Sequence, residues 1–166
     1  AALLELHIRR TPGGAFSEQV FGGMKEGSLL RIEGPLGQFV YRPGSRPLLA
    51  IGGGTGYAPL KAILRAVLES GSRRDVVLFW GARNAEDLYE DAWLRGLAAK
   101  HPQFRYTGVV SGVVHEAVLR GVADLAGFDV YAAGPPAMID AVRHELPRHG
   151  ADPARIFFDS FDRAPA

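Results

Sequence analysis

The sequence contains no cysteine. That excludes disulfides, thiolate zinc sites, cysteine-ligated iron–sulfur clusters and a cysteine nucleophile from this chain. It also lacks a charge excess. Lys and Arg number 19 against 18 Asp and Glu, a formal net charge of +1, which gives no electrostatic case for nucleic acid or an anionic membrane. The basic residues are nearly all arginine, a compositional bias. No apolar run approaches a membrane span, and residues 1–10 are too short and charged too early for a signal peptide. A cytoplasmic protein is expected. His115, His144 and His149 lack metal-ligand spacing, the last two falling on different helix faces, so no metal site is expected. There is no Gly-x-Ser-x-Gly for a hydrolase elbow. Internal repeats and low-complexity segments are absent as well.

Glycine, by contrast, is plentiful, and four glycines cluster in Pro47-Leu48-Leu49-Ala50-Ile51-Gly52-Gly53-Gly54-Thr55-Gly56-Tyr57-Ala58-Pro59-Leu60. An apolar strand runs into the cluster and a helical segment follows. Glycine lets the chain turn sharply and lets a ligand approach the backbone, while the next helix offers unpaired N–H groups and a positive dipole end. From Gly54 the spacing is G-x-G-x-x-P rather than the G-x-G-x-x-G of the common dinucleotide fold. Pro59 belongs in the first helical turn, where its missing N–H costs nothing. No Gly-Lys-Ser/Thr follows, which excludes an NTPase loop. A ligand-free glycine turn is the plain alternative. The buried strand before it and the proline after it favour a nucleotide.

With 166 residues, the chain can bury a sizeable core without staples, and one compact domain with a small appendage is expected. Leu4, Leu6 and Ile8 alternate with polar residues, the period of a half-buried strand that opens in mid-element. Ser17 is placed to cap a short helix over 18–24 that carries Val20 and Phe21 inward. Strands are expected over 29–33 and 39–41, joined by a turn at Gly34-Pro35-Leu36-Gly37. These pieces cannot enclose a core. Residues 1–45 therefore read as the tail of a β-rich domain whose first part precedes this chain.

From Arg46 strands and helices alternate. Strands are expected over 47–51, 75–80, 104–110, 129–133 and 155–158, with helices over 60–70, 86–100, 113–122 and 136–149. Residues 46–166 thus predict a doubly wound, parallel, five-stranded α/β sheet of Rossmann-like type, with ligands at the carboxyl ends of its strands. Three glycine-bearing loops share that rim: Gly52 to Gly56, Gly81-Ala82-Arg83 and Gly134-Pro135-Pro136.

Gly-Gly-Thr-Gly-x-Ala-Pro, Trp-Gly-Ala-Arg with Asp-Leu-Tyr behind it, and Ala-Gly-Pro-Pro-Ala-Met, in that order, resemble the ferredoxin–NADP reductase superfamily. The resemblance is greatest to the flavin-dependent reductases that serve oxygenases and deoxysugar dehydrases, and it spans nearly the whole chain. Gly14-Ala15-Phe16-Ser17 resembles that family's contact to FAD pyrophosphate. Gly34-Pro35-Leu36-Gly37-Gln38-Phe39 resembles the closing strand of its flavin-binding barrel. The resemblance thus makes residues 1–45 a fragment of an antiparallel FAD-binding β-barrel and 46–166 the NAD(P)H-binding domain. Three features depart from the family. Its Arg-x-Tyr-Ser/Thr motif is absent, Ser111 runs into Gly112 where a Trp-x-Gly-x-x-Gly stretch is usual, and Ala133 stands where a cysteine is common.

The resemblance implies a hydride passed from NAD(P)H to FAD and electrons sent on to an iron–sulfur centre on another segment or partner. It places pyrophosphate on Gly53, Gly54, Thr55 and Gly56 with Pro59 behind, and Thr55 near the nicotinamide. Gly81, Ala82 and Arg83 would meet the adenosine ribose. Ala133, Gly134, Pro135, Pro136 and Met138 would line the far side, and Gly14, Ser17 and Phe161 would meet FAD. Arg83 can pair with a 2′-phosphate or stack on adenine. Glu86 and Asp87, placed for ribose hydroxyls, favour NADH, with NADPH possible. No protein acid or base is required, because the cofactors carry the hydride chemistry. Rival readings are a reductase of free flavin and a non-catalytic nucleotide sensor.

Overall fold

The computed structural model describes residues 4–34 and 36–161. Pro35 of the expected turn lies outside them. The chain divides into two units, residues 1–38 and 39–166.

The only regular element among the described residues of the first unit is α1 (Ala15–Gly22). It begins earlier than the sequence suggests, because Ser17 does not cap it. The Ser17 hydroxyl donates to the carbonyls of Thr11 (3.0 Å) and Gly14 (3.1 Å) and accepts from the Thr11 N–H. Gly14 is therefore the N-cap, and Ser17 is the buried residue of the helix. Phe21, expected to point inward, is exposed. The strands expected over 4–8 and 29–33 are not formed, and α1 stands between stretches without regular structure. A strand needs ladder partners to occupy its N–H and C=O groups, and none is formed among the described residues of this unit. Leu4, Leu29 and Ile32 stay exposed accordingly.

In the second unit, residues 39–41 are also not a strand, but they pack on the sheet. Phe39 lies edge-on to Tyr131, whose hydroxyl accepts from the Arg42 N–H (3.0 Å). The boundary at 38/39 therefore precedes the change of texture at 45/46. Five parallel strands follow: β1 (Leu48–Gly53), β2 (Val76–Ala82), β3 (Phe104–Val110), β4 (Asp129–Gly134) and β5 (Ile156–Ser160). Their order is β3-β2-β1-β4-β5. After β3 the chain returns to the other side of β1, so the direction of winding reverses between β1 and β4. That point is where doubly wound sheets open a crevice for ligands.

Both faces of the sheet are covered. Leu48, Ala50, Leu78, Trp80 and Tyr131 face α2 (Tyr57–Glu69) and α3 (Asp91–Lys100). Leu49, Ile51, Val77, Phe79 and Val130 face α4 (Val114–Gly121) and α5 (Pro136–Arg148). Alternation sends neighbouring residues to opposite faces, which is why the strands read as unbroken apolar runs. Each fully buried Leu, Ile or Val contributes about 1.5–3 kcal/mol. The helix expected over 86–100 is interrupted. Asn84 and Asp87 form a capping box around a short 3-10 turn (Ala85–Asp87), and Leu88 turns into the core before α3 begins.

At the end of the sheet opposite the rim, Asp129 accepts from Arg74 (2.5 Å) and Arg155 (2.8 Å). Arg74 also donates to the carbonyls of Arg42 and Arg46, tying residues 42–46 to the sheet. No helix among the described residues is long and apolar enough to cross a membrane.

Candidate functional site

β1 ends at Gly53 and passes through a single 3-10 turn (Gly54–Gly56) into α2. Register places Gly53 beside Gly81, Gly52 beside Ala133, and Gly134 beside Ser160. The three loops singled out in the sequence thus meet on one rim of the second unit, at the β1/β4 reversal.

The glycines there have two different physical causes. A Cβ on Gly56 would lie 2.1 Å from the Ala133 carbonyl oxygen. One on Gly53 would lie 2.8 Å from both Met138 Sδ and Pro135 Cδ, and one on Gly81 would lie 3.1 Å from Val114. Those glycines let protein pack on protein rather than on a ligand. Gly54 differs. Its φ is +55°, a conformation glycine adopts at little cost, and a Cβ there would meet nothing within 4 Å. It is the glycine that opens outward.

Two helices start beside the reversal point, and they are not equivalent. α2 continues the 3-10 turn, and the Tyr57 N–H at its start already donates to the Gly54 and Thr55 carbonyls, so the end that no side chain caps is that of the turn, at Gly53 and Gly54. Pro59 is the third residue of α2. At α5, Pro135 is the N-cap and Pro136 the first residue, which removes donors from that end. An anionic group at this rim is therefore better served by the turn that leads into α2.

The loop is held from behind. The Trp80 indole N–H donates to the Gly54 carbonyl at 2.8 Å, and the ring stacks on Tyr57 at 4.2 Å. Thr55 is half-buried, Gly81 and Ala82 partly exposed, and Arg83 exposed. Pro135 and Pro136 are exposed and Met138 half-buried. Ala133 is placed differently from the expectation that it lines a ligand. It has no exposed surface, and its side chain belongs to the core while its carbonyl backs Gly56. Phe161 joins the rim through its N–H, which donates to the Gly134 carbonyl (3.0 Å), and its ring is exposed. Asp87, considered for ribose, has one carboxylate oxygen engaged by Asn84. Asp159 near the end of β5 is held above the usual carboxylate range by burial.

Gly14 and Ser17 lie in the first unit. The Ser17 hydroxyl is spent on its own loop, whereas the N-terminus of α1 has no side-chain cap. Any contact from this turn to an anion is thus a backbone contact. A groove of about 420 Å³ lies between α2 and α3, lined by Lys61, Leu68, Glu90, Trp93 and Leu97 among others.

Comparison with known proteins agrees with this geometry. Residues 50–144 match the family described as oxidoreductase NAD-binding domain. The chain belongs to that family. Residues 1–41 match the oxidoreductase FAD-binding domain. The chain is similar to the CDP-6-deoxy-L-threo-D-glycero-4-hexulose-3-dehydrase reductase of Yersinia pestis, 39% identical over 95% of this chain and 51% of that protein. The ferredoxin–NAD(P)+ reductase component of the naphthalene 1,2-dioxygenase system of Pseudomonas putida is 35% identical over 95% of this chain and 52% of its own length. Among solved structures, the Amycolatopsis cytochrome P450 reductase GcoB superposes with a TM-score of 0.83 at 34% identity, covering 94% of this chain and 51% of that one. The resemblance to the ferredoxin–NADP reductase superfamily is therefore borne out. The chain spans about half the length of the curated relatives it matches.

Sequence reasoning undervalued Trp80, which it assigned to the strand core, and passed over Tyr57 and Glu90. All three lie in or beside the quoted motifs, but only their spatial approach shows what they hold.

Proposed function

We propose that this chain is the NAD(P)H-binding part, with a portion of the FAD-binding part, of a flavoprotein oxidoreductase that reduces FAD with NADH and passes electrons to an iron–sulfur partner. The observation that supports the reading is the 3-10 turn Gly54–Gly56 leading into α2, uncapped by any side chain and opening at Gly54, at the reversal of the sheet and beside a proline-blocked α5. When bound, the dinucleotide supplies the hydride and the flavin accepts it.

The residues of this chain bind and orient. Backbone N–H groups around Gly53, Gly54, Thr55 and Gly56 receive pyrophosphate, with the dipole of α2 behind them. Thr55 bounds the nicotinamide position. Gly81, Ala82 and Arg83 receive the adenosine ribose, and Gly134, Pro135, Pro136 and Met138 form the opposite wall. Ala133 contributes from behind, by fixing Gly56. The turn at Gly14 and Ser17, and the ring of Phe161, are the contacts assigned to FAD. Placement is the protein's contribution to such a step, since slight misplacement of reacting atoms costs large factors in rate.

An iron–sulfur partner is supported by the naphthalene dioxygenase relative, which is a ferredoxin–NAD(P)+ reductase component. With no cysteine in this chain, a thiolate-held cluster belongs on another segment or protein. A cytoplasmic setting goes with the same reading, because reduced dinucleotide must be supplied. Steady-state oxidation of NADH by the intact protein, with added FAD and an artificial electron acceptor, tests it. Turnover that requires FAD is expected. Nucleotide binding without turnover would instead make this a sensor.

A further inference from the structure

The β1–β2 ladder sets Gly53 beside Gly81, but the turn that begins at Gly54 lies beyond the ladder and needs other contacts to hold it. Glu90 ends the connection from β2 to α3, and its backbone starts α3 as the N-cap. Its side chain reaches across to the first turns of α2. Oε2 accepts from the Tyr57 hydroxyl at 2.7 Å, and Oε1 accepts from Lys61 Nζ at 2.6 Å. The Lys61 and Glu90 side chains are only 12% and 23% exposed, unlike the solvated Arg65–Glu69 pair nearby at 53% and 67%. Screening by water is therefore weak, and the contact is firm.

Tyr57 is fully buried and stacks on Trp80 with rings 21° apart, and Tyr89 lies edge-on to both. Trp80 in turn donates to the Gly54 carbonyl, which also accepts from the Tyr57 N–H. In a planar trans peptide the next N–H points the opposite way. Pinning that carbonyl therefore directs the Thr55 N–H away from the indole.

Resting on the nucleotide reading above, we propose that Glu90 and Trp80 are positioning residues that fix the glycine loop against the Gly81–Ala82–Arg83 loop. A dinucleotide spanning both loops is then held more tightly than a mononucleotide held by one. The path runs from the start of α3 through Glu90, Tyr57 and Trp80 to the Gly54 peptide, so loosening any joint lets one arm of the site drift relative to the other. A role confined to general stability would weaken both ligands alike.

Isothermal titration of the intact protein with NADH and with AMP separates these cases. Trp80→Phe keeps a ring for Tyr57 to stack on and removes the indole donor. Glu90→Gln keeps an acceptor for Tyr57 and loses the charge facing Lys61. In each, NADH affinity is expected to fall about three- to tenfold, the scale of one lost hydrogen bond, while AMP affinity changes less than about twofold. Equal weakening of NADH and AMP, or unchanged NADH affinity, overturns the proposal. If either variant is recovered unfolded, Tyr57→Phe removes only the hydroxyl facing Glu90 and is read by the same contrast. A wild-type protein that binds neither ligand overturns the nucleotide reading itself, a failure distinct from the selective one.

Discussion

Gly54 and Gly56 stand two residues apart and are glycine for opposite reasons, so substitutions there separate folding from binding. A methyl group on Gly56 collides with the Ala133 backbone, which has no room to yield. Gly56→Ala is expected to destabilise the fold strongly, by about 3 kcal/mol or more, as overpacking against a rigid neighbour does. Thermal unfolding measures it. Gly54→Asn keeps a residue type that tolerates positive φ and projects a side chain into the open side of the loop. Its melting temperature should stay close to wild type while NADH affinity drops about tenfold, which calorimetry reads. Asp159 offers a pH-dependent case. Burial raises its folded-state value, so the protonated form is favoured in the folded protein and that advantage disappears as pH rises through the folded value. Asp159→Asn should therefore stabilise the protein increasingly as pH rises from the ordinary value of 3.8 through the raised folded value, and by a constant amount above it, in denaturant titrations. A difference that does not grow as pH rises from 3.8 would contradict the burial argument. Arg83 is exposed, so Arg83→Ala should change NADH and NADPH affinities alike; a selective NADPH loss would reveal a 2′-phosphate contact.

At the scale of elements, the strands were legible because each is covered on both faces, and a continuous apolar run announces that. β3 spans the predicted 104–110, and the glycine loop falls where the strand-to-helix transition placed it. The interruption after Asp87 was not legible. The side chain of Asp87 folds back on Asn84, and Leu88 must turn inward, contacts that periodicity does not report. Ser17 misled for a related reason, since its type fits an N-cap while Thr11 and Gly14 claim its hydroxyl. The network beneath the sheet was also hidden, because Arg74 and Asp129 are 55 residues apart. Both side chains are nearly inaccessible, so Arg74→Met leaves a buried carboxylate short of its main partner. A loss of about 3–5 kcal/mol is expected by denaturant unfolding. A loss near zero would mean that Arg155 alone satisfies Asp129.

For the whole molecule, the motif order carried more than composition did. The rim is assembled from segments near residues 54, 82 and 134, and only a doubly wound topology brings them together. The first unit was read less well, because its apolar residues alternate as in a barrel yet form no ladder among the described residues. The reason glycine stands at the rim also escaped the sequence: most of those positions answer to packing, and Gly54 alone opens outward. The central claim is that this rim delivers NADH to FAD. Anaerobic rapid mixing of the FAD-loaded intact protein with NADH, followed by flavin absorbance, tests it most directly. The account predicts bleaching that saturates with NADH, with Gly54→Asn needing about tenfold more NADH to reach half the maximal rate. Flavin that stays oxidised in the presence of bound NADH would contradict it.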